Sequence, residues 1–303
     1  MNSLKLFVAL VLHLSGLWGI TPAVTKTSLI AGTTPPLASQ IAAAPRVPIL
    51  VSSPQLLSFD PGVSALAIDR TSGQILYQSG PTTPRPIASI TKLMTVMVAM
   101  SVHGANDLVT IGPQPSYEAG ADLLGVAPGE QFHFIDLVKA TLIASDNDAA
   151  DALGIATSGS LPKFYEAMNA RAAKWGVGDA KFVSANGLID DGNVVSAAAV
   201  ARIASLDLAI PSLVDIIAQP SATITDLAGK SFNLSTTNQL LASGKFYGIK
   251  TGYTLAAGQC FVGITKIDGH EVITVILGSS DRFGQTQSLV NWIAGNWQWP
   301  QHP

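Results

Sequence analysis

Ser89 and Lys92 are the first residues whose types and spacing indicate chemistry. Pro84 and Pro86 favour extended backbone before them, and the apolar residues that follow recur every three to four positions, which predicts a helix beginning at Ser89. Residues three apart share a face of such a helix. A desolvated lysine loses its proton more readily and can act as the base that activates a serine hydroxyl. Unpaired N–H groups at a helix start also favour developing negative charge.

This pair alone does not establish a nucleophile. In the simpler interpretation Ser89 caps the helix and Lys92 is a solvated first-turn residue. The same spacing recurs at Ser160 and Lys163, where Pro162 is typical of the first turn of a capped helix. The interpretation of Ser89 therefore depends on other residues that complete an acyl-transfer site.

Two further segments supply such residues. Ser145–Asn147 is predicted to lie where two helices meet, and Lys250–Gly252 at the end of a strand. Singly, a helix cap and an ordinary strand end explain them, and Ser-x-Asn also occurs at 184–186 and 231–233. Together with Ser89 they provide what acyl transfer needs: a nucleophile, a base and a positive clamp for an anionic substrate end.

Composition excludes several other functions. The chain has 303 residues, of which 48% are hydrophobic and 12% charged, enough for one large domain or two small ones. Its formal net charge of −3 does not indicate the basic surface expected of a nucleic-acid-binding protein. One cysteine and five scattered histidines predict neither a disulfide framework nor a metal site. We therefore expect no metal and no cofactor.

The N-terminal part has the composition of an export signal and a linker. Residues 1–23 begin with a positive charge, continue with an apolar run and end on small residues suited to cleavage after Ala23. An uncleaved membrane anchor is the alternative, although the apolar run is short for a span of about 20 residues. Residues 24–59 are rich in Pro, Ala, Ser and Thr and predict a disordered linker. The catalytic domain is predicted over 60–298.

The order of predicted elements indicates an α/β (α+β) fold. A strand hairpin is expected over 63–78, helices between 134 and 217, three strands over 245–277 and a closing helix around Leu289. The N- and C-terminal strands would combine into one antiparallel sheet of five strands, with the helical block as a second lobe. A cleft between sheet and lobe is the expected site.

At this point the chain resembles the penicillin-recognising serine enzymes. It looks most like the low-molecular-weight penicillin-binding proteins, the serine-type D-alanyl-D-alanine carboxypeptidases of peptidase family S11. The resemblance covers about residues 60–295 and is carried by 85–95, 145–150 and 248–254, with 237–241 similar to the segment upstream. It implies the β-lactamase/transpeptidase-like fold, an antiparallel five-stranded sheet flanked by helices plus an all-helical lobe.

The resemblance implies catalytic roles for four residues. Ser89 would be the acylated nucleophile and Lys92 its general base. Ser145 and Asn147 would relay protons and hold the substrate amide. Asp146, between them, is the form common in β-lactamases, whereas carboxypeptidases often have Gly there.

The resemblance also implies how the substrate is bound. Lys250 would supply positive charge near the substrate's terminal carboxylate, and Thr251 a hydrogen bond to it. Gly252 would allow the substrate backbone to approach the strand closely. The backbone N–H groups of Ser89 and Tyr253 would form the oxyanion hole. The family often places an arginine near the carboxylate, and Arg282 lies in that neighbourhood, with its register left open.

The implied function is that of a serine D,D-peptidase. It would cleave the D-alanyl-D-alanine end of peptidoglycan stem peptides and be acylated by β-lactams, with no nucleic acid and no stable protein partner. The absence of the C-terminal β-domain of many carboxypeptidases points toward the shorter members, so a D,D-endopeptidase acting on cross-links is an alternative. The expected location is extracytoplasmic, in the periplasm or cell wall, with a tether if the signal is not cleaved.

Two other functions compete with this one. A class A-like β-lactamase needs a Glu in the loop after the helical block, but 177–195 contains none and Glu166 lies in the preceding predicted helix. Slow release of bound penicillin is therefore predicted. A non-catalytic wall-binding or sensor domain is disfavoured by the intact set of Ser89, Lys92, Asn147 and Lys250.

Overall fold

The computed structural model describes residues 47–51, 55, 57–189 and 192–300. The strands are β1 (Ile49–Leu50), β2 (Ser64–Asp69), β3 (Ile75–Ser79), β4 (Arg85–Pro86), β5 (Leu108–Thr110), β6 (Gln131–His133), β7 (Val194–Val195), β8 (Ser221–Thr225), β9 (Ser231–Ser235), β10 (Phe246–Thr254), β11 (Gly258–Ile267), β12 (His270–Ser279) and β13 (Trp297–Gln298). The helices are α1 (Thr91–Met100), α2 (Phe134–Lys139), α3 (Asn147–Ser158), α4 (Leu161–Lys174), α5 (Ala197–Asp207), α6 (Pro211–Ile217) and α7 (Arg282–Asn296).

Strands from both ends of the described chain form one antiparallel sheet of five strands in the order β10-β11-β12-β2-β3. The junction between the two halves is the β12–β2 pair, which runs from Val272 opposite Asp69 to Leu277 opposite Ser64. The predicted fold, including the joining of N- and C-terminal strands, is confirmed.

Both faces of the sheet are buried. In β12, Ile273 and Val275 belong to the core cluster shared with the helical lobe, while Val272 and Ile276 belong to the cluster shared with α7. Successive side chains of a strand point to opposite faces, so an apolar run of this kind buries both of them. The sheet is therefore the middle layer of the molecule, and β10 is one of its two edges.

The helical block predicted between 134 and 217 is present and consists of α2 to α6. The helix predicted after Ser160 is α4, with Pro162 in its first turn, and Lys163 is exposed.

The hairpin of β8 and β9 was not predicted, because each of these strands has a single buried residue, Ile224 and Leu234 respectively. That pattern lacks the apolar density by which strands are recognised.

The body of the fold begins upstream of the predicted boundary at residue 60. Strand β1 pairs with β13, and the indole of Trp292 donates a hydrogen bond to the carbonyl of Gln55 at 2.9 Å. Leu57 and Phe59 pack on the cluster beneath α7. The predicted linker therefore does not extend to residue 59. The export signal over 1–23 and the linker up to 46 lie outside the described residues.

Among the described residues, no helix is both long enough and apolar enough to cross a membrane.

Candidate active site

Ser89 lies in a tight turn that leads into α1. The segment before it is held by the β4–β7 pair, and Ala88–Ile90 then form a 3-10 turn, so that the α-helix begins at Thr91. The predicted helix start at Ser89 was thus two residues early. No side-chain capping hydrogen bond is present at either N-cap position of this turn and helix, which removes the interpretation of Ser89 as a cap.

Lys92 is completely buried and hydrogen-bonded to the candidate nucleophile. Its Nζ atom lies 2.7 Å from Ser89 Oγ, 2.7 Å from Asn147 Oδ1 and 2.8 Å from the carbonyl oxygen of Asn186. Desolvation lowers the pKa of Lys92 to about 7, against the attraction of nearby carboxylates, of which Asp151 acts most strongly. Near neutral pH the ammonium and the free amine are therefore both populated, as a general base requires.

Asn147 reaches Lys92 from the junction of two helical segments. The chain leaves a π turn at Ser145, which has the left-handed φ of 68°, and α3 begins at Asn147. The side-chain nitrogen of Asn147 donates to the carbonyl of Asp122 at 2.8 Å, and this bond orients the side-chain oxygen of Asn147 toward Lys92. Ser145 is buried beside it, and its hydroxyl makes no hydrogen bond to the described residues.

Strand β10 brings the third predicted segment to the same place. A Cβ atom at Gly252 would lie 2.8 Å from the carbonyl oxygen of Ile87 and 3.1 Å from the nitrogen of Ser89. Only glycine allows this approach of the strand to the Ser89 turn. Tyr253, the next residue, has an exposed side chain.

The third segment begins with a buried lysine, Lys250. Lys250 is 1% exposed, and desolvation, reinforced by the charge of Lys92, lowers its pKa well below the ordinary range. Thr251 Oγ1 is 2.5 Å from Thr237 Oγ1, and Arg282 donates from Nη1 to the carbonyl of Gly252 at 2.9 Å. Arg282 therefore lies beside Gly252 of β10.

The loop that carries Asn186 belongs to the site, although the sequence did not predict this. The residue pair Asn186-Gly187 indicates only a turn, and Ser184-x-Asn186 looks like a chance copy of the Ser-x-Asn pattern. The loop is tied to α1 by Thr95, which donates to the carbonyl of Ala185 at 2.6 Å, and by Asn193, which donates to Thr91 Oγ1 at 2.8 Å. This attachment brings the Asn186 carbonyl to Lys92.

A cleft of about 700 Å³ adjoins the buried cluster. It shares Asn186 and Tyr253 with the site, and its walls are formed by residues 115–121, Asp151, Leu161, Tyr165, Ser184, Leu188, Ile189, Thr254 and Leu255. A second cleft of about 450 Å³, on the Arg282 side, also includes Tyr253. Within the described chain, no three His, Cys, Asp or Glu side chains are grouped so as to hold a metal ion.

Three known proteins illustrate what this chain is similar to. The Bacillus subtilis D-alanyl-D-alanine carboxypeptidase DacF is 29% identical over 251 residues, covering 79% of this chain and 63% of DacF. The Pseudomonas aeruginosa D-alanyl-D-alanine endopeptidase is 31% identical over 238 residues, covering 76% of each chain. The cefotaxime-bound penicillin-binding protein D2 of Listeria monocytogenes is 28% identical with a TM-score of 0.69, covering 80% of this chain and 100% of that one.

This chain spans less than two thirds of DacF but three quarters of the endopeptidase. The family model described as D-alanyl-D-alanine carboxypeptidase matches residues 58–281, which include the segments of Ser89, Asn147, Asn186 and Lys250. That match extends over most of the chain. The chain therefore belongs to the D-alanyl-D-alanine carboxypeptidase family.

Proposed function

We propose that this chain is a serine D,D-peptidase that cleaves the D-alanyl-D-alanine end of peptidoglycan stem peptides through an acyl-enzyme on Ser89. The observation that carries the proposal is the 2.7 Å distance between Ser89 Oγ and the fully buried Lys92 Nζ. A surface lysine would stay protonated at neutral pH, whereas this one has a pKa of about 7 because it is desolvated.

In the acylation step, the neutral amine of Lys92 takes the proton of Ser89 Oγ. Its two remaining N–H bonds can then point to Asn147 Oδ1 and to the Asn186 carbonyl, both within 2.8 Å. The Ser89 oxygen attacks the carbonyl carbon of the penultimate D-alanine, and the C–N bond to the last D-alanine breaks. The leaving nitrogen receives a proton relayed from Lys92, for which the buried Ser145 hydroxyl is the proposed carrier. Water later hydrolyses the ester.

Negative charge at two points of the substrate would be met by the Ser89 turn and by strand β10. The developing oxyanion would be held by the N–H groups of Ser89 and Tyr253, and losing one such donor typically costs about 10²- to 10³-fold in rate. The terminal carboxylate would lie toward Lys250 and Thr251. Binding of that anion favours the charged form of Lys250 against the desolvation that otherwise lowers its pKa.

The same site would be acylated by β-lactams, as the cefotaxime-bound relative supports. Hydrolysis of the penicilloyl ester should be slow. The loop 177–195 contains no Glu, its one described carboxylate, Asp179, is exposed, and Glu166 is exposed on α4.

A second candidate is D,D-endopeptidase action on peptidoglycan cross-links. It is favoured by the 31% identity to the Pseudomonas aeruginosa endopeptidase, of which this chain covers 76%. The chemistry is the same, and only the group that leaves from the D-alanine carbonyl differs.

Either activity fits an extracytoplasmic location, where peptidoglycan and β-lactams are encountered, and we propose that location.

The test is the intact mass of the protein after mixing with benzylpenicillin, followed over hours. A stable increase by the mass of one penicillin is expected for the wild type and for Ser160→Ala, which alters the second Ser-x-x-Lys copy. Ser89→Ala should gain no mass. An adduct that appears and vanishes within seconds supports a β-lactamase instead, and an unmodified wild type contradicts the proposal.

A second assay separates the two peptidase activities. Monomeric and cross-linked stem peptides are incubated with the protein, and free D-alanine and cross-linked dimer are quantified. Release of D-alanine from monomers supports the carboxypeptidase. Conversion of dimers to monomers without that release supports the endopeptidase.

A further inference from the structure

A chain of hydrogen bonds runs from the wall of the 700 Å³ cleft to the catalytic lysine. The Tyr117 hydroxyl donates to Asp151 Oδ2 at 2.7 Å, and the side-chain amide of Asn186 donates to the same oxygen at 2.8 Å. The main-chain oxygen of Asn186 in turn accepts from Lys92 Nζ at 2.8 Å. Asp151 is only 1% exposed and lies on α3, the helix that begins with Asn147.

We propose that Asp151 is a positioning residue for the general base: its carboxylate fixes Asn186, whose carbonyl holds Lys92 against Ser89. The inference rests on the proposed function, because it assigns to the same acylation site a residue that positions the base without contacting the substrate. Neither the motif residues nor the oxyanion donors include Asp151.

The geometry leaves no substitute for this carboxylate. In the described part of the chain, Asp151 Oδ2 is the only acceptor for the Asn186 side-chain nitrogen. The other atoms that anchor the loop hold its neighbours: Thr95 bonds to Ala185, and Asn193 bonds to Ser184. Without Asp151 the buried Asn186 amide would lose its acceptor, and a buried unpaired donor is unfavourable enough to shift the loop.

Asp151 also acts on Lys92 through its charge. Desolvation raises the pKa of Asp151 to about 6, while hydrogen bonds from Tyr117 and Asn186 stabilise its ionised form. The groups that face Asp151 are Tyr117, Tyr165 and Lys92 from neighbouring elements and Asp148 from its own helix. Those that face Lys92 are Asp151, Asp122, Asp146, Asp148 and Lys250. Of the carboxylates, Asp151 opposes the lowering of the Lys92 pKa most strongly.

The two effects can be separated by substitution. Asp151→Asn keeps an oxygen that can accept from both Tyr117 and Asn186, but removes the charge. Asp151→Val removes both acceptor and charge at similar volume. Tyr117→Phe leaves the Asp151–Asn186 bond in place and is the matched control for loss of a hydrogen bond to the same carboxylate. Asn186→Ala breaks the bond from its other end.

The experiment measures the second-order rate constant of acylation by a fluorescent penicillin between pH 5 and 9, with thermal unfolding of each variant as a check on folding. We expect Asp151→Asn to shift the rising limb of the profile to lower pH, by on the order of half a pH unit, because Lys92 loses an attractive charge. Asp151→Val and Asn186→Ala should each lose about tenfold or more at every pH. The variant that carries both Asp151→Val and Asn186→Ala should lose little more than either single variant, since both break the same Asp151–Asn186 hydrogen bond.

Wild-type rates for Asp151→Val and Asn186→Ala across the pH range would overturn the inference. If Asp151→Val does not fold, the same decision rests on Asn186→Ala and on the pH profile of Asp151→Asn. A loss in Tyr117→Phe as large as in Asn186→Ala would also count against it, since a general loosening would then explain both. Failure of the wild type to be acylated at all would instead overturn the proposed function and this inference with it.

Discussion

The Nζ atom of Lys92 lies 2.7 Å from the Oγ atom of Ser89, and the lysine side chain has no exposed surface. A buried amine next to a hydroxyl is a proton acceptor in position before any substrate arrives. The three acceptors around Nζ belong to the turn that leads into α1, to α3 and to the Asn186 loop, so its position depends on all three segments.

Lys92→Ala is therefore expected to abolish labelling by fluorescent penicillin, with a rate loss of about 10²- to 10⁴-fold, the usual contribution of a general base. Lys163→Ala is the matched control, because Lys163 occupies the same place in the second Ser-x-x-Lys copy and is exposed on α4. Labelling of Lys92→Ala at the wild-type rate would show that another group takes the proton.

Lys250→Ala should remove the preference for a free carboxylate at the end of the substrate. A charge-assisted hydrogen bond corresponds to about 10- to 100-fold in affinity or rate. We expect the wild type to prefer a peptide ending in D-alanine over its amide by such a factor, and Lys250→Ala to show almost none. The measurement is kcat/KM for both peptides, with the exposed Lys245→Ala as control. An undiminished preference in Lys250→Ala would place the carboxylate elsewhere.

Gly187→Ala should disturb the site through a steric clash. Gly187 has a φ of +84°, and a Cβ there would lie 2.1 Å from the carbonyl oxygen of Ala88, next to the nucleophile. Gly159 has a φ of +76°, and a Cβ there would meet no atom within 4 Å. Gly159→Ala should therefore be destabilised only by the left-handed backbone conformation, without a steric clash. That cost is about 1–2 kcal/mol. Urea unfolding and penicillin labelling of Gly187→Ala and Gly159→Ala would be compared. Equal labelling rates would contradict the predicted clash.

Asp207→Asn should change how stability depends on pH. The Asp207 carboxyl is buried with neither oxygen hydrogen-bonded to the described residues, and desolvation raises its pKa well above the ordinary value. Above about pH 4 the unfolded chain releases this proton while the folded chain keeps it, so the free energy of unfolding falls as pH rises. The slope is up to about 1.4 kcal/mol per pH unit until the folded-state pKa is passed.

Asp207→Asn lacks that slope and should gain stability relative to wild type between pH 5 and pH 8. Urea denaturation at both values measures the difference, with the exposed Asp215→Asn as control. A gain of the same size at both pH values would mean that the Asp207 carboxyl does not titrate differently in the folded state.

The three motifs and the five-stranded sheet could be predicted from the sequence, because each depends on local spacing or on strong apolar runs. The Asn186 loop and Asp151 could not. Their place in the site depends on which way a loop carbonyl and a helix side chain point, and this is fixed by anchors such as Thr95 and Asn193. No spacing rule connects residues 151 and 186.

The upstream boundary failed for a different reason. A stretch rich in Pro, Ala, Ser and Thr is typical of a linker, but a few of its apolar residues pack against the folded domain. Leu57 and Phe59 pack beside α7, and the carbonyl of Leu57 accepts a hydrogen bond from Tyr77 at 2.8 Å. Composition averaged over the stretch concealed these single contacts.

The pairing of Ser64 in β2 with Leu277 in β12 has a consequence for how the molecule is made. These residues are roughly 200 positions apart, and closing so long a loop is slow compared with forming the helices between them. During synthesis, α1 to α6 are complete before the last strands exist. Lys250 and Tyr253, one of the two proposed oxyanion donors, are on β10, so reactivity toward penicillin should be the final property a nascent chain acquires.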